Sequence, residues 1–207
     1  MTLSAIEVNN LKKAITVDGV LPAVLGRWST RSFADREVSP ADLRKVFEAA
    51  RWAASSRNEQ PWRFLVGTRN SVTYKKIFST LAESNQRWAN AAPVLILGVA
   101  STRFSHNGAA NAYALYDLGA AASYLTLQTS ALGLTSHQMA GYDHDAARQV
   151  FEIPEDYVLG AVIALGYQGE PANLSDPHHL EQETTPRTRK PLSEFVFSAW
   201  GKPADLG

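Results

Sequence analysis

"SPADLRKVFEAARWAASSRNEQPWRFLVGT", residues 39–68, carries a helix, a polar junction and a strand in immediate succession. Ser39 offers a side-chain oxygen to the free N–H groups of a first helical turn, and Pro40 loses no hydrogen bond at the first helical position. Asp42 favours the positive end of the helix dipole, while Leu43, Val46, Phe47 and Ala50 recur on one face. The spacing predicts a helix starting at Pro40. "SSRNEQPWR" (55–63) then contains almost nothing that a core would take up, and "RFLVGT" (63–68) reads as a short strand.

Upstream, Leu3, Ile6, Leu11, Ile15, Val20, Leu21, Val24 and Leu25 are spaced apolar residues interrupted near Asp18-Gly19, which predicts two short helices. Downstream, Asn70 marks a turn and a helix is expected over about Val72 to Glu83. "VLILGVA" (94–100), introduced by Pro93, is apolar throughout and reads as a strand buried on both faces. The polar, glycine-containing stretch 101–111 reads as an exposed excursion before a long alanine-rich helix from about Ala112 to Leu132. "TSHQMAGYD" (135–143) reads as a second polar junction, Asp143 as the cap of a short helix through Phe151, and "YVLGAVIALGY" (157–167) as a third strand. From Gln168 onward Pro, Gly, Ser and His dominate, as in an arm without its own core, until "PLSEFVFSAW" (191–200) offers a last short helix. Helices followed by strands separated by helices give an α+β layer architecture. The whole of 1–207 is expected to form one domain, with a core over about 25–196 and an arm over about 168–207.

Composition narrows the function classes. Of the 207 residues, 45% are hydrophobic and 19% charged, as in ordinary globular chains. Twenty basic and twenty acidic residues cancel, which argues against nucleic-acid and anionic-membrane binding. The chain has no cysteine, so disulfides, thiolate metal sites and a cysteine nucleophile are excluded. With no run long enough for a signal peptide or a membrane span, the expected compartment is the cytoplasm.

Three polar clusters remain. In "RWSTRSF" (27–33) the side chains of Arg27, Ser29 and Arg31 fall two residues apart, so an extended segment projects two guanidiniums and a hydroxyl on one side. That pattern suits a phosphate, and it also suits a solvated surface strand. "PRTRK" (186–190) repeats it with Arg187, Arg189 and Lys190, and taken singly is a solvated charge run. If the two clusters meet in space, four or five cations converge and need an anion. The third cluster is the junction at 55–63. No glycine-rich nucleotide fingerprint, no nucleophile elbow and no histidine pair at metal-ligand spacing competes with them.

In this order the clusters resemble the nitroreductase family of FMN-dependent oxidoreductases. The matching pieces are "RWSTRSF", "EAARWAASSRNEQPWRFLV", "NQRWANAAPVLIL", "ALGLTSHQMAGYD", "IALGY" and "RTRKPLSEFV", which span about 25–196. The resemblance implies a nitroreductase-like fold with a central, mostly antiparallel sheet flanked by helices. It also implies a homodimer with FMN in the subunit interface and a domain-swapped C-terminal arm reaching across to the partner. Arg27, Ser29, Arg31, Arg187, Arg189 and Lys190 would hold the phosphate and ribityl end of FMN. Ser55, Ser56 and Asn58 would reach the flavin of the other subunit, Asn85 the ring edge, and Ala140 and Gly141 the region of N5 through their backbone. Some family members carry a glutamate at the position of Ala140, so nicotinamide preference does not transfer.

The chemistry so implied is hydride transfer from NADH or NADPH, followed by reduction of a nitroaromatic, a quinone or another electron-poor acceptor in ping-pong fashion. The flavin carries that chemistry, and no catalytic side chain or metal is required. Phe104, His106 and Tyr113 are candidate lining groups of the acceptor pocket. A dehalogenase, enal reductase or dehydrogenase on the same fold, and a flavin-binding protein without turnover, are the alternatives.

Overall fold

The computed structural model describes residues 3–14 and 18–206; Ile15, counted above among the apolar residues of the first helices, lies outside that range. Two short helices come first, α1 (Ala5–Lys12) and α2 (Pro22–Gly26), followed by an extended strap, residues 27–33, and by α3 (Pro40–Arg51). Ser39 caps α3 by accepting from the N–H of Asp42, and Val46 and Ala50 are buried as the spacing predicts.

Four strands form one sheet: β1 (Trp62–Thr68), β2 (Val94–Ser101), β3 (Thr135–Met139) and β4 (Tyr157–Gly166). Their order is β1-β2-β4-β3, and every pairing is antiparallel. On β2, Val94 and Ile96 face one apolar cluster while Leu95 and Leu97 face the other. A strand with both faces buried needs a layer on each side, and the helices supply them. The long helix α6 (Ala114–Ala131) packs with α3 on one face, and α4 (Val72–Thr80) packs on the other, with α7 (His144–Phe151) against it. Emptying one such β2 side chain to alanine removes about 2–5 kcal/mol of stability. Trp62, at the exit of the polar junction, is part of the α6-side core.

Four expectations are corrected. The helix expected through Glu83 stops at Thr80, and α5 (Glu83–Ala89) starts afresh after Leu81 and Ala82 turn extended. "TSHQM" is not a junction but the edge strand β3, whose polar pattern reflects one free edge rather than a loop. The first part of the tail is not irregular but forms α8 (Pro177–Thr184), capped by Asp176, which buries the polar His179 and Glu183. The last helix is a single 3-10 turn, Leu192–Glu194, followed by a hairpin of β5 (Phe197–Ala199) and β6 (Lys202–Pro203). Among the described residues no helix is long and apolar enough to cross a membrane.

Candidate active site

The strap behaves as an extended segment should. Trp28, Thr30 and Ser32 are buried, while Arg27, Ser29 and Arg31 are half-buried on the alternate positions. What holds it is a carboxylate from α8. Glu183, 0% exposed, accepts from the Thr30 hydroxyl, from the N–H of Arg31 at 2.9 Å and from the N–H of Ser32 at 3.2 Å. On the sheet side, His137 Nδ1 lies 2.9 Å from the carbonyl oxygen of Thr30. A carbonyl only accepts, so the proton sits on Nδ1. Burial holds His137 down to about 4, assisted by the nearby Arg31 and Arg27 against the opposing effect of its bond to Thr30, so the ring is neutral at pH 7.

The two basic clusters meet. Arg187 donates through Nη1 to the carbonyl of Arg27 at 2.6 Å and through Nη2 to that of Leu25. Burial lowers the basicity of Arg27 and Arg187, and the Arg189 guanidinium lowers both further. Arg31 is also held below its ordinary range, by burial, with Glu183 opposing. Four guanidiniums thus share one region, and the acid that touches the strap is already occupied by three donors. Lys190 pairs instead with Glu194 at 3.5 Å.

A second group lies at the far end of β3. Asn85 on α5 donates its Nδ2–H to the carbonyl of Gly141 at 2.8 Å, and Ala82 donates its N–H to the same oxygen at 3.0 Å. Ala140 and Gly141 are exposed there, past the end of the edge strand. A Cβ at 141 would stand 2.9 Å from the Asn85 amide nitrogen, so a larger residue there would push the Asn85 side chain aside. From His137 to Gly141 the chain can span at most about 13 Å, so the arginines and the amide edge lie toward opposite ends of the β3 edge.

The junction 55–60 is elsewhere. Ser56 donates its N–H to Asp117 Oδ2 at 3.1 Å, and Asp117, 2% exposed, belongs to the first turn of α6. Ser55 Oγ accepts from the N–H of Gln60 at 3.0 Å. Arg57, Asn58 and Gln60 all have positive φ, of 55°, 56° and 52°. Three such residues in four positions store strain of about 1–3 kcal/mol each, which the surrounding contacts must hold. Glu59 provides one of those contacts by accepting from the N–H of Ser105 at 2.8 Å, and the Arg57 guanidinium lies 5.7 Å from the centre of the Phe104 ring. Phe104 and His106 are 5.5 Å apart, so the junction and the excursion form one surface. Tyr113 meets Tyr116 edge-on at the start of α6.

The strap, by contrast, starts beside the other end of α6. A Cβ on Gly26 would lie 3.8 Å from Ser130 Oγ. Asp117 and Ser130 are thirteen residues apart on α6, about 20 Å at the helical rise. Within one chain, then, Ser55, Ser56 and Asn58 do not join Arg27, Ser29 and Arg31.

Sequence reasoning missed Glu183, His137 and Asp117. A lone aspartate in the apolar first half of α6 was a usable signal for the last of these. The other two sit in segments whose secondary structure was misread.

An antiparallel sheet with helices on both faces thus carries an arginine cluster at one end of its edge strand and an amide edge at the other. The comparisons specify the class. The model of the Nitroreductase family matches residues 24–86 and 68–167. A solved structure described as an oxidoreductase containing FMN has a TM-score of 0.82 and 32% identity, covering 96% of this chain and 97% of its own. A 15.4 kDa protein of Mycolicibacterium smegmatis, whose name assigns it no activity, is 36% identical over 68% of this chain and 99% of its own length. The NADH dehydrogenase of Thermus thermophilus is 29% identical over 76% of this chain and 89% of its own. The chain belongs to the nitroreductase family and is an oxidoreductase.

Proposed function

We propose that this protein is an FMN-dependent oxidoreductase that takes hydride from NADH or NADPH and passes it to a nitroaromatic, a quinone or a similar electron-poor acceptor. The observation that carries the reading is the convergence of Arg27, Arg31, Arg187 and Arg189 toward one end of the β3 edge, whose other end carries Asn85, Ala140 and Gly141. Arg27, Arg31 and Arg187, whose basicity burial already depresses, gain from a dianionic phosphate, which also offsets the repulsion among Arg27, Arg187 and Arg189. The FMN named for the similar structure fits these residues: a phosphate for the arginines and Ser29, and a planar polar edge for the Asn85 amide and the backbone of Ala140 and Gly141.

When bound, FMN supplies the acceptance and return of a hydride. The chain's own groups position and tune. The arginines would anchor the phosphate, the amide edge would orient the ring, and nearby donors would favour negative charge on it. Phe104, His106 and Tyr113 border the space for the acceptor. Donor and acceptor use one pocket by turns, which gives ping-pong kinetics.

The separation of the two polar groups along α6 favours a homodimer. Two copies related by a two-fold axis, with their α6 helices antiparallel, bring the start of one α6 to the end of the other. That places Ser55, Ser56 and Asn58 of the partner subunit beside the strap. α6 has an outward apolar stripe for such a contact, since Leu115, Tyr116 and Tyr124 are exposed. The exposed hairpin residues Phe197 and Trp200 suit an arm that crosses to the partner.

The test is direct. Purified protein is expected to be yellow, to release FMN on denaturation and to lose flavin absorbance within a turnover when mixed with NADH or NADPH. Colourless protein that takes up no added FMN overturns the reading. Bound flavin that neither nucleotide bleaches leaves a flavin carrier instead of a reductase.

A further inference from the structure

Glu183 is a fully buried acid for which hydride transfer has no direct use. Placing a carboxylate out of water is unfavourable unless donors compensate it. Here three donors do, and all come from consecutive residues of the strap: the Thr30 hydroxyl, the Arg31 N–H and the Ser32 N–H. The helix end that carries Glu183 is itself clamped, because Lys12 Nζ donates to the carbonyls of Gln182 and Thr185.

Bonds to two successive backbone N–H groups fix the course of the strap. In an extended segment, fixing the backbone also fixes which side chains project to which side. Four residues after Glu183, Arg187 returns to the carbonyls of Leu25 and Arg27. One stretch of tail therefore ties the strap at both ends, and the same stretch leads to Arg189.

We propose that Glu183 is a positioning residue of the anion site. It does not touch the phosphate; it sets the strap so that Arg27, Ser29 and Arg31 face the same point as Arg187 and Arg189. The inference rests on the FMN reading above. Charge and geometry predict opposite signs, which makes the role separable from simple electrostatics. A negative group beside Arg31 opposes an incoming phosphate, so removing its charge alone tightens anion binding. Removing the backbone anchor loosens it.

The experiment titrates the flavin-free full-length protein with FMN and with riboflavin, which lacks only the phosphate, following flavin fluorescence. For Glu183→Gln the Kd for FMN is expected to rise about tenfold, the effect of one lost charge-assisted hydrogen bond, with riboflavin affinity unchanged. Thr30→Val removes one of the three donors and is expected to shift the FMN-to-riboflavin ratio in the same direction by a smaller factor. If Glu183→Gln does not fold, that ratio in Thr30→Val decides. Equal weakening of both flavins, or tighter FMN binding, overturns the inference while leaving the cofactor reading intact. A wild-type protein that binds neither flavin overturns both.

Discussion

Arg187 donates to the carbonyl oxygen of Arg27 at 2.6 Å, so a cation of the tail is bonded to the backbone of the strap that carries two more. A cluster assembled from both ends of the chain cannot be tested by its arginines one at a time without asking which of them also hold the backbone. Arg31 gives the cleaner experiment, because the structure assigns its N–H, not its guanidinium, to the scaffold. Arg31→Ala is expected to weaken FMN binding roughly 10- to 100-fold while moving the urea midpoint little. Fluorescence titration and equilibrium unfolding check the two halves, and unchanged FMN affinity would remove Arg31 from the site.

His137 makes a prediction about acid. Its folded value of about 4 lies below the ordinary 6.5, so between those values the unfolded chain takes up a proton that the folded chain refuses. Stability of the flavin-free protein therefore declines as pH falls from 6.5 to 4, and this group adds no further loss below that. The contribution is about 3 kcal/mol. Subtracting the stability–pH curve of His137→Asn from that of the wild type isolates it; parallel curves would refute the assignment.

Asp117 holds the positive-φ junction through the N–H of Ser56. Asp117→Ala leaves that donor without its acceptor and is expected to destabilise the fold by about 1–3 kcal/mol. The junction itself should loosen first, so trypsin should cut after the exposed Arg57 faster than in the wild type. Cleavage at the wild-type rate would show that other contacts hold the loop.

Phe104 bears on the acceptor. Its ring lies 5.5 Å from that of His106 and 5.7 Å from the Arg57 guanidinium. Phe104→Ala is expected to raise the KM for a nitroaromatic several-fold, with FMN affinity and the rate of bleaching by NADH or NADPH unchanged. A change in flavin affinity instead would move Phe104 from the acceptor pocket to the cofactor's.

The parts of the fold that are held by apolar surface were legible beforehand. Val94 to Ala100 announced a strand covered on both faces, and Ser39 and Pro40 announced the start of α3 to the residue. The parts held by polar contacts were not. In β3 the buried positions are Ser136 and Met139, and Thr135, His137 and Gln138 beside them are polar as well, so the strand has no apolar alternation to detect. In α8 the inward positions are His179 and Glu183, which a search for hydrophobic spacing passes over. The same distinction governs the site. Arginine spacing pointed to an anion, but the buried acid that shapes the strap carries no sequence pattern of its own.

The distance between Asp117 and Ser130 along α6 has a consequence for mixtures of chains. Under the proposed pairing each pocket takes its strap from one subunit and its junction from the other. A chain disabled at Arg31 and a chain disabled at Asn58 are each inactive as pure proteins. Co-refolded in equal amounts, half of the dimers are mixed, and each mixed dimer carries one pocket with both faults and one with none. Two dead alleles would then restore about a quarter of the wild-type activity, a complementation that no monomeric enzyme can show.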